Sequence, residues 1–266
     1  MLRDALLATP GLTLQRYGKP GAAPVLLLHG LFGSGRNWQG IARRLAQRRP
    51  VLVPDLRNHG DSPHAAVMSY HAMADDLAKL LEREAAEPAI PVGHSMGGKV
   101  AMWLTLDHPE QIAAVCAVDI APITYPSGFE TMIDALLALP LGAVANRADA
   151  DRRLAEAIPS APIRGYVLQN LRRDGEHWAW RCNLGGIATA LPEIRGFPDA
   201  AGRQFAGPAL FLYGTNSDYV GAQSLPRIRE LFPLARLRAV PNAGHWVYAD
   251  QPETFIGALD GFLERI

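Results

Sequence analysis

A chain of 266 residues with 48% hydrophobic and 20% charged side chains has a globular composition, which excludes a disordered or fibrous protein. Its 26 basic residues balance 26 acidic ones, so no overall field recruits nucleic acid or an anionic membrane. No apolar run reaches the length of a membrane span, and Asp4 and Pro10 break the opening "MLRDALLATPGL" too early for a secretory leader, so the expected compartment is the cytoplasm.

"LTLQRY" (12–17) alternates as a half-buried strand does. "VLLLH" (25–29) and "VLVPDL" (51–56) are unbroken apolar runs, the pattern of strands covered on both faces of a parallel sheet. Between them, "NWQGIARRLAQRR" spaces Trp38, Ile41 and Leu45 as a helix, and "YHAMADDLAKLLERE" (70–84) repeats the spacing through Met73, Leu77 and Leu80. "AIPVG" is the next strand, and "MGGKVAMWLTLDHP" the helix after it. Pro91 conflicts with a central strand because proline cannot donate to a ladder, so a bulge or an unusual register is required there.

"IAAVCAVDI" (112–120), "ALFLYG" (209–214) and "ARLRAV" (235–240) supply further strands, and "PETFIGALDGFLERI" a closing helix. Strands alternating with helices predict an α/β fold with a mostly parallel central sheet and helices on both faces. The alternation stops from Pro122 to about Phe205, where helical patterns such as "GFETMIDALLALP" prevail. That stretch is too long for a loop and too apolar for a linker. The expected division is a core of residues 1–121 and 206–266 with a helical lid, 122–205, inserted after the strand ending at Asp119. Cys116 lies within an apolar run, where a buried free thiol is expected rather than a disulfide partner.

Gly93-His94-Ser95-Met96-Gly97 is a G-x-S-x-G pentapeptide between a strand and a helix, the context of a nucleophile elbow. Flanking glycines remove side chains that would collide at such a turn, and the helix start favours developing negative charge. A serine hydroxyl attacks only once a base takes its proton. Among eight histidines, His245 in "VPNAGHWVYAD" follows the last strand, at the edge where open α/β sheets assemble sites. His29 reads as shaping backbone, and His59, His64, His71, His108 and His177 as structural or surface groups. Two carboxylates compete to orient His245. Asp119 ends a buried strand and needs a partner there; Asp218, in "LYGTNSDYV", follows the next-to-last strand. The buried strand end favours Asp119, with Asp218 as the alternative. Oxyanion donors are expected from the amides of Met96 and of Leu31, in "HGLFGSG". Phe32, His94 and Trp246 are adjacent to these groups and are expected to line the substrate pocket. No phosphate-loop or metal-ligand spacing occurs, so neither metal nor cofactor is expected.

The motifs "LLLHGLFGSGRNW", "DLRNHGDSPH", "GHSMGGKVAM", "VDIAP", "GTNSDYV" and "PNAGHWV" together resemble the α/β-hydrolases along nearly the whole chain. Among these they are particularly similar to the small bacterial esterases of the YbfF type and α/β-hydrolase domain-containing protein 11. The resemblance implies a triad of Ser95, Asp119 and His245, with Leu31 and Met96 as oxyanion donors. It also implies a helical lid, and ester substrates with short-to-medium acyl groups, thioesters included. Relatives of this type generally lack an aspartate at the position of Asp218, so carrying both is a departure. The same fold and triad also serve C–C bond hydrolases, lactonases and cofactor-free perhydrolases, and a non-catalytic ligand-binding protein could retain them. A small-molecule ester is the expected partner; nothing in the sequence bears on oligomeric state.

Overall fold

The computed structural model describes residues 11–19, 21, 23–84 and 88–266; most of the opening stretch "MLRDALLATPGL", read above as too broken for a leader, lies outside them. The strands are β1 (Leu14–Tyr17), β2 (Val25–Leu28), β3 (Val51–Pro54), β4 (Ile90–His94), β5 (Val115–Val118), β6 (Leu171–Asp174), β7 (His177–Trp180), β8 (Ala209–Gly214) and β9 (Ala235–Val240). Seven of them form one sheet in the order β1-β3-β2-β4-β5-β8-β9. Only β1 runs antiparallel, pairing Leu14 with Pro54 at the sheet edge.

The unbroken apolar runs have their cause in two separate cores. Leu26 and Leu28 of β2 point into one, Val25 and Leu27 into the other, and β5 and β8 divide in the same way. Helices α1 (Gln39–Leu45), α2 (Tyr70–Glu84) and α3 (Met96–Asp107) follow β2, β3 and β4. On the face of Leu26, α2 and α3 contribute Met73, Leu77, Val100 and Trp103. On the other, Ile41 and Leu45 of α1 meet Phe255 and Leu259 of the C-terminal helix. Burying each such large side chain stabilises the fold by roughly 1.5–3 kcal/mol.

Pro91 is accommodated by a break in one ladder. It pairs with Leu26 of β2 in regular register. On the β5 side, the Ala89–Ile112 bridge and the Val92–Cys116 pair are separated by residues 90–91 on one chain but 113–115 on the other. The extra residue is a bulge, and it falls where proline has no proton to donate.

Between β5 and β8 the chain forms α4 (Glu130–Ala138), α5 (Arg147–Leu154), α6 (Ala161–Val167), the β6–β7 hairpin and α7 (Leu184–Arg195). Asn146 and Asn183 cap α5 and α7 by accepting from the Asp149 and Gly186 amides. Met132, Leu136, Ile187 and Leu191 extend the core on the α2–α3 face. The hairpin departs from the helical expectation. Its two-residue turn follows Asp174, with Gly175 at φ +61°, and Trp178 and Trp180 alternate along β7. After β8 come α8 (Leu225–Leu231), β9, α9 (Val247–Asp250) and α10 (Pro252–Leu263). Cys116 and Cys182 are both buried free thiols. Among the described residues no helix is long and apolar enough to cross a membrane.

Candidate active site

The strands β2, β4, β5 and β8 end side by side, and the loops leaving their carboxyl ends converge. Ser95 sits between β4 and α3 with φ +52° and ψ −121°, a left-handed conformation unfavourable for an L residue. The surrounding glycines permit the turn. A Cβ on Gly97 would lie 2.5 Å from the carbonyl oxygens of Leu28 and His29, and one on Gly98 would lie 2.8 Å from that of Gly93. Side chains there would push the elbow off the sheet.

Asp119 takes the position after β5, again left-handed at φ +51°, and is 0% exposed. Its carboxylate accepts three hydrogen bonds: from the Gly214 amide at 3.1 Å, the Ser217 hydroxyl, and His245 Nδ1 at 2.8 Å. A fully buried carboxylate is thereby satisfied. Asp218 is exposed and makes no hydrogen bond to His245. It lines a different cavity, one of about 420 Å³.

His245 is held on several sides. Its carbonyl accepts from His94 Nε2 at 2.8 Å, and the Tyr219 ring stacks on the imidazole with centroids 4.0 Å apart and planes 21° from parallel. With Nδ1 donating to Asp119, Nε2 of the neutral ring is the basic nitrogen. Ser95 and His245 line a common cavity of about 250 Å³. Among the described residues no hydrogen bond joins the Ser95 hydroxyl to the imidazole. Catalytic hydrogen bonds in free enzymes are often long and tighten on substrate binding.

Neither the Leu31 nor the Met96 amide donates to another group among the described residues, so both are free to bind an oxyanion. The loop presenting Leu31 is braced from both directions. His29 donates from Nδ1 to the Gly30 carbonyl at 2.9 Å and accepts at Nε2 from the Leu56 amide at 3.0 Å, and burial lowers its pKa to about 4. From the β5–β8 segment, the Tyr166 hydroxyl donates to the Leu31 carbonyl at 3.2 Å, and Asn170 Nδ2 to that of Phe32 at 2.7 Å. Phe32, His94 and Trp246 all line the 250 Å³ cavity. Burial, and then the neighbouring His245 charge, hold His94 well below the usual imidazole range.

Ser217 and Tyr219 were not singled out by sequence reasoning, which weighed only Asp218 in that loop. The signal was their proximity to a candidate acid. Asp75, Asp107 and His108 also bring possible ligand atoms within 4.8 Å of one another. Asp75 lies on α2, while Asp107 ends α3 and His108 directly follows it, so no linear spacing reveals the group, and none of the three lines either cavity.

A family model described as the alpha/beta hydrolase fold matches residues 23–252. The chain belongs to the α/β-hydrolase family. This α/β-hydrolase is 42% identical over 247 residues to sn-1-specific diacylglycerol lipase ABHD11 of Mus musculus, covering 90% of this chain and 80% of that protein. It is 36% identical over 242 residues to esterase YbfF of Escherichia coli (strain K12), covering 91% and 93%. Among solved structures, an esterase described as from a marine microorganism superposes with a TM-score of 0.91 at 36% identity, covering 95% of this α/β-hydrolase and 99% of that chain.

Proposed function

We propose that this α/β-hydrolase is a serine carboxylesterase that cleaves short-to-medium acyl esters, and thioesters by the same route, through an acyl-enzyme. Ser95 Oγ attacks the carbonyl carbon while His245 Nε2 takes the hydroxyl proton, and Asp119 holds the tautomer and stabilises the imidazolium. The Leu31 and Met96 amides bind the oxyanion; one such donor is typically worth about 100- to 1000-fold in kcat. The imidazolium then protonates the departing alcohol, and the neutral ring activates water to release the acid. The observation that carries this reading is the 2.8 Å bond from His245 to the buried Asp119, beside a serine on a left-handed elbow. The relatives are named for lipase and esterase activity, which acts on the same bond.

Two cavities meet at Ser95, and Leu31 lines both. The group leaving must lie near the imidazole that protonates it, and His245 lines only the smaller arm. The alcohol is therefore assigned to the 250 Å³ arm with Phe32, His94 and Trp246, and the acyl chain to the 420 Å³ arm. Residues 122–205 are assigned as a lid over residues 1–121 and 206–266, supported by the Tyr166 and Asn170 bonds to the Leu31 loop. None of these steps calls on a cofactor, and the enzyme is read as cytoplasmic.

The test is a panel of p-nitrophenyl esters of increasing chain length, with wild type and Ser95→Ala compared. Turnover by the wild type and loss in Ser95→Ala is the expected result. Equal turnover by both, or none by either, contradicts the reading.

A further inference from the structure

Lys99 lies one helical turn after Ser95, its amide donating to the Ser95 carbonyl at 3.1 Å. Its residue is 1% exposed, yet it carries an ammonium group into the interior. All three protons find backbone carbonyls: Ile123 at 2.8 Å, Arg195 at 2.7 Å and Gly196 at 2.6 Å. Ile123 stands just after β5, where the chain leaves the sheet for the segment covering Ser95. Arg195 and Gly196 close α7, where that segment returns. The two roots also touch each other, since the Tyr125 amide donates to the same Arg195 carbonyl at 3.0 Å.

The surroundings complete a clamp. The Tyr125 ring lies 4.7 Å from Nζ and the Tyr70 ring 5.9 Å, a placement that favours a cation. The Tyr70 hydroxyl donates to the Ile194 carbonyl at 2.6 Å, adding a hold on the returning root. The Tyr125 hydroxyl donates to the Tyr219 carbonyl at 2.6 Å, and Tyr219 stacks on His245. The outgoing root is thus linked both to the helix of the nucleophile and to the packing partner of the base.

Burial opposes the charge and pushes the Lys99 pKa down to about 7. Simple core packing at this helix position would be met by leucine or methionine without that penalty. What an ammonium adds is three divergent donors that can tie two distant pieces of backbone to one point.

We propose that Lys99 is a positioning residue that pins both roots of the lid to the Ser95 helix, setting the height of the lid over the substrate cavity. This rests on the lid and esterase reading above. By this account Lys99 governs how substrate is held more than the bond-breaking step, which the elbow and the β5 and β9 loops arrange.

The test is amide hydrogen–deuterium exchange and ester kinetics on the full chain, wild type against Lys99→Met, which keeps length and removes the charge. The expected result is exchange at least tenfold faster in segments 123–126 and 195–197, with β5 and β8 unchanged. KM should rise about fivefold or more while kcat falls less than threefold. Unchanged exchange at the roots, uniform acceleration across the sheet, or a loss confined to kcat would overturn the proposal. Should Lys99→Met fail to fold, the wild type decides. Its Tyr125 amide must exchange as slowly as those of β5, and exchange at the rate of a surface loop would overturn the clamp. If the wild type turns over no ester, the esterase reading fails, while the exchange data still decide whether Lys99 fastens the roots.

Discussion

His245 donates from Nδ1 to Oδ2 of Asp119 across 2.8 Å, although the two residues are 126 positions apart in the chain. The pairing needs the left-handed turn at Asp119, which rotates the carboxylate off the end of β5 toward the loop after β9. Asp218, one strand further along the sheet, is exposed instead. Asp119→Asn should therefore lower kcat by about 10⁴-fold, the loss typical when the imidazole is held in the wrong tautomer. Asp218→Asn alters the lining of the 420 Å³ arm and not the imidazole, so its effect should fall on KM and leave kcat far closer to wild type. Steady-state kinetics of both variants on one ester checks this, and a larger loss at Asp218 would contradict it.

The elbow predicts a coupled loss of stability and rate. Gly97→Ala puts a methyl 2.5 Å from two backbone oxygens that cannot retreat without moving β2. Overpacking of this kind costs about 1–3 kcal/mol, which in a chain of this size lowers Tm by roughly 2–4 °C per kcal/mol. Calorimetry should show that fall, together with a loss of kcat as Ser95 is displaced. An unchanged Tm would mean the turn is not strained as described.

How much of this was legible in the sequence depends on what each feature encodes. The parallel strands announced themselves because burial on both faces demands unbroken apolar runs such as "VLLL". The elbow was legible because Gly93, Gly97 and Gly98 stand where any side chain would collide with its neighbours. For the acid, chain order admits both Asp119 and Asp218; the cost of an unpartnered carboxylate at a buried strand end favours Asp119, while its left-handed φ leaves no mark in spacing. Lys99 passed unread because one lysine in an apolar helix does not say which carbonyls it will meet. The β6–β7 hairpin did have a signal, a turn opening on Gly175 before alternating tryptophans, but helical patterns on both sides of it dominated the reading.

Bracing of the Leu31 loop gives a third prediction. Asn170 is buried and donates both to Phe32 and, at 3.2 Å, to the Val167 carbonyl. Asn170→Ala leaves buried carbonyls unsatisfied at a cost of about 1–3 kcal/mol. The same substitution loosens the loop carrying the Leu31 amide, the proposed oxyanion donor. A misplacement near 1 Å can cost on the order of 100-fold in rate, so kcat should fall about ten- to 100-fold. Activity equal to wild type would show that the loop needs no support from this side.

Acid should destabilise the fold through two histidines outside the proposed triad. Burial lowers His29 to about 4, and burial followed by the His29 charge lowers His59 to about 3. In the unfolded chain each titrates near the ordinary imidazole value of about 6.5. Between those values the unfolded state binds more protons, so stability is full above about pH 6.5 and falls as pH drops. The His29 shift alone corresponds to on the order of 3 kcal/mol by pH 4. Urea denaturation at a series of pH values from 7.5 to 4.5 should show a falling midpoint; a flat profile would contradict the burial of both rings as neutral species.

The most direct measurement for the central claim is covalent labelling of the nucleophile. The enzyme is treated with a fluorophosphonate, digested and read by mass spectrometry, with His245→Ala alongside. The account predicts one label per chain, on Ser95, forming at least 100-fold more slowly without the imidazole, a loss within the range general-base catalysis supplies. A label on another residue, or equal rates in both proteins, would contradict it.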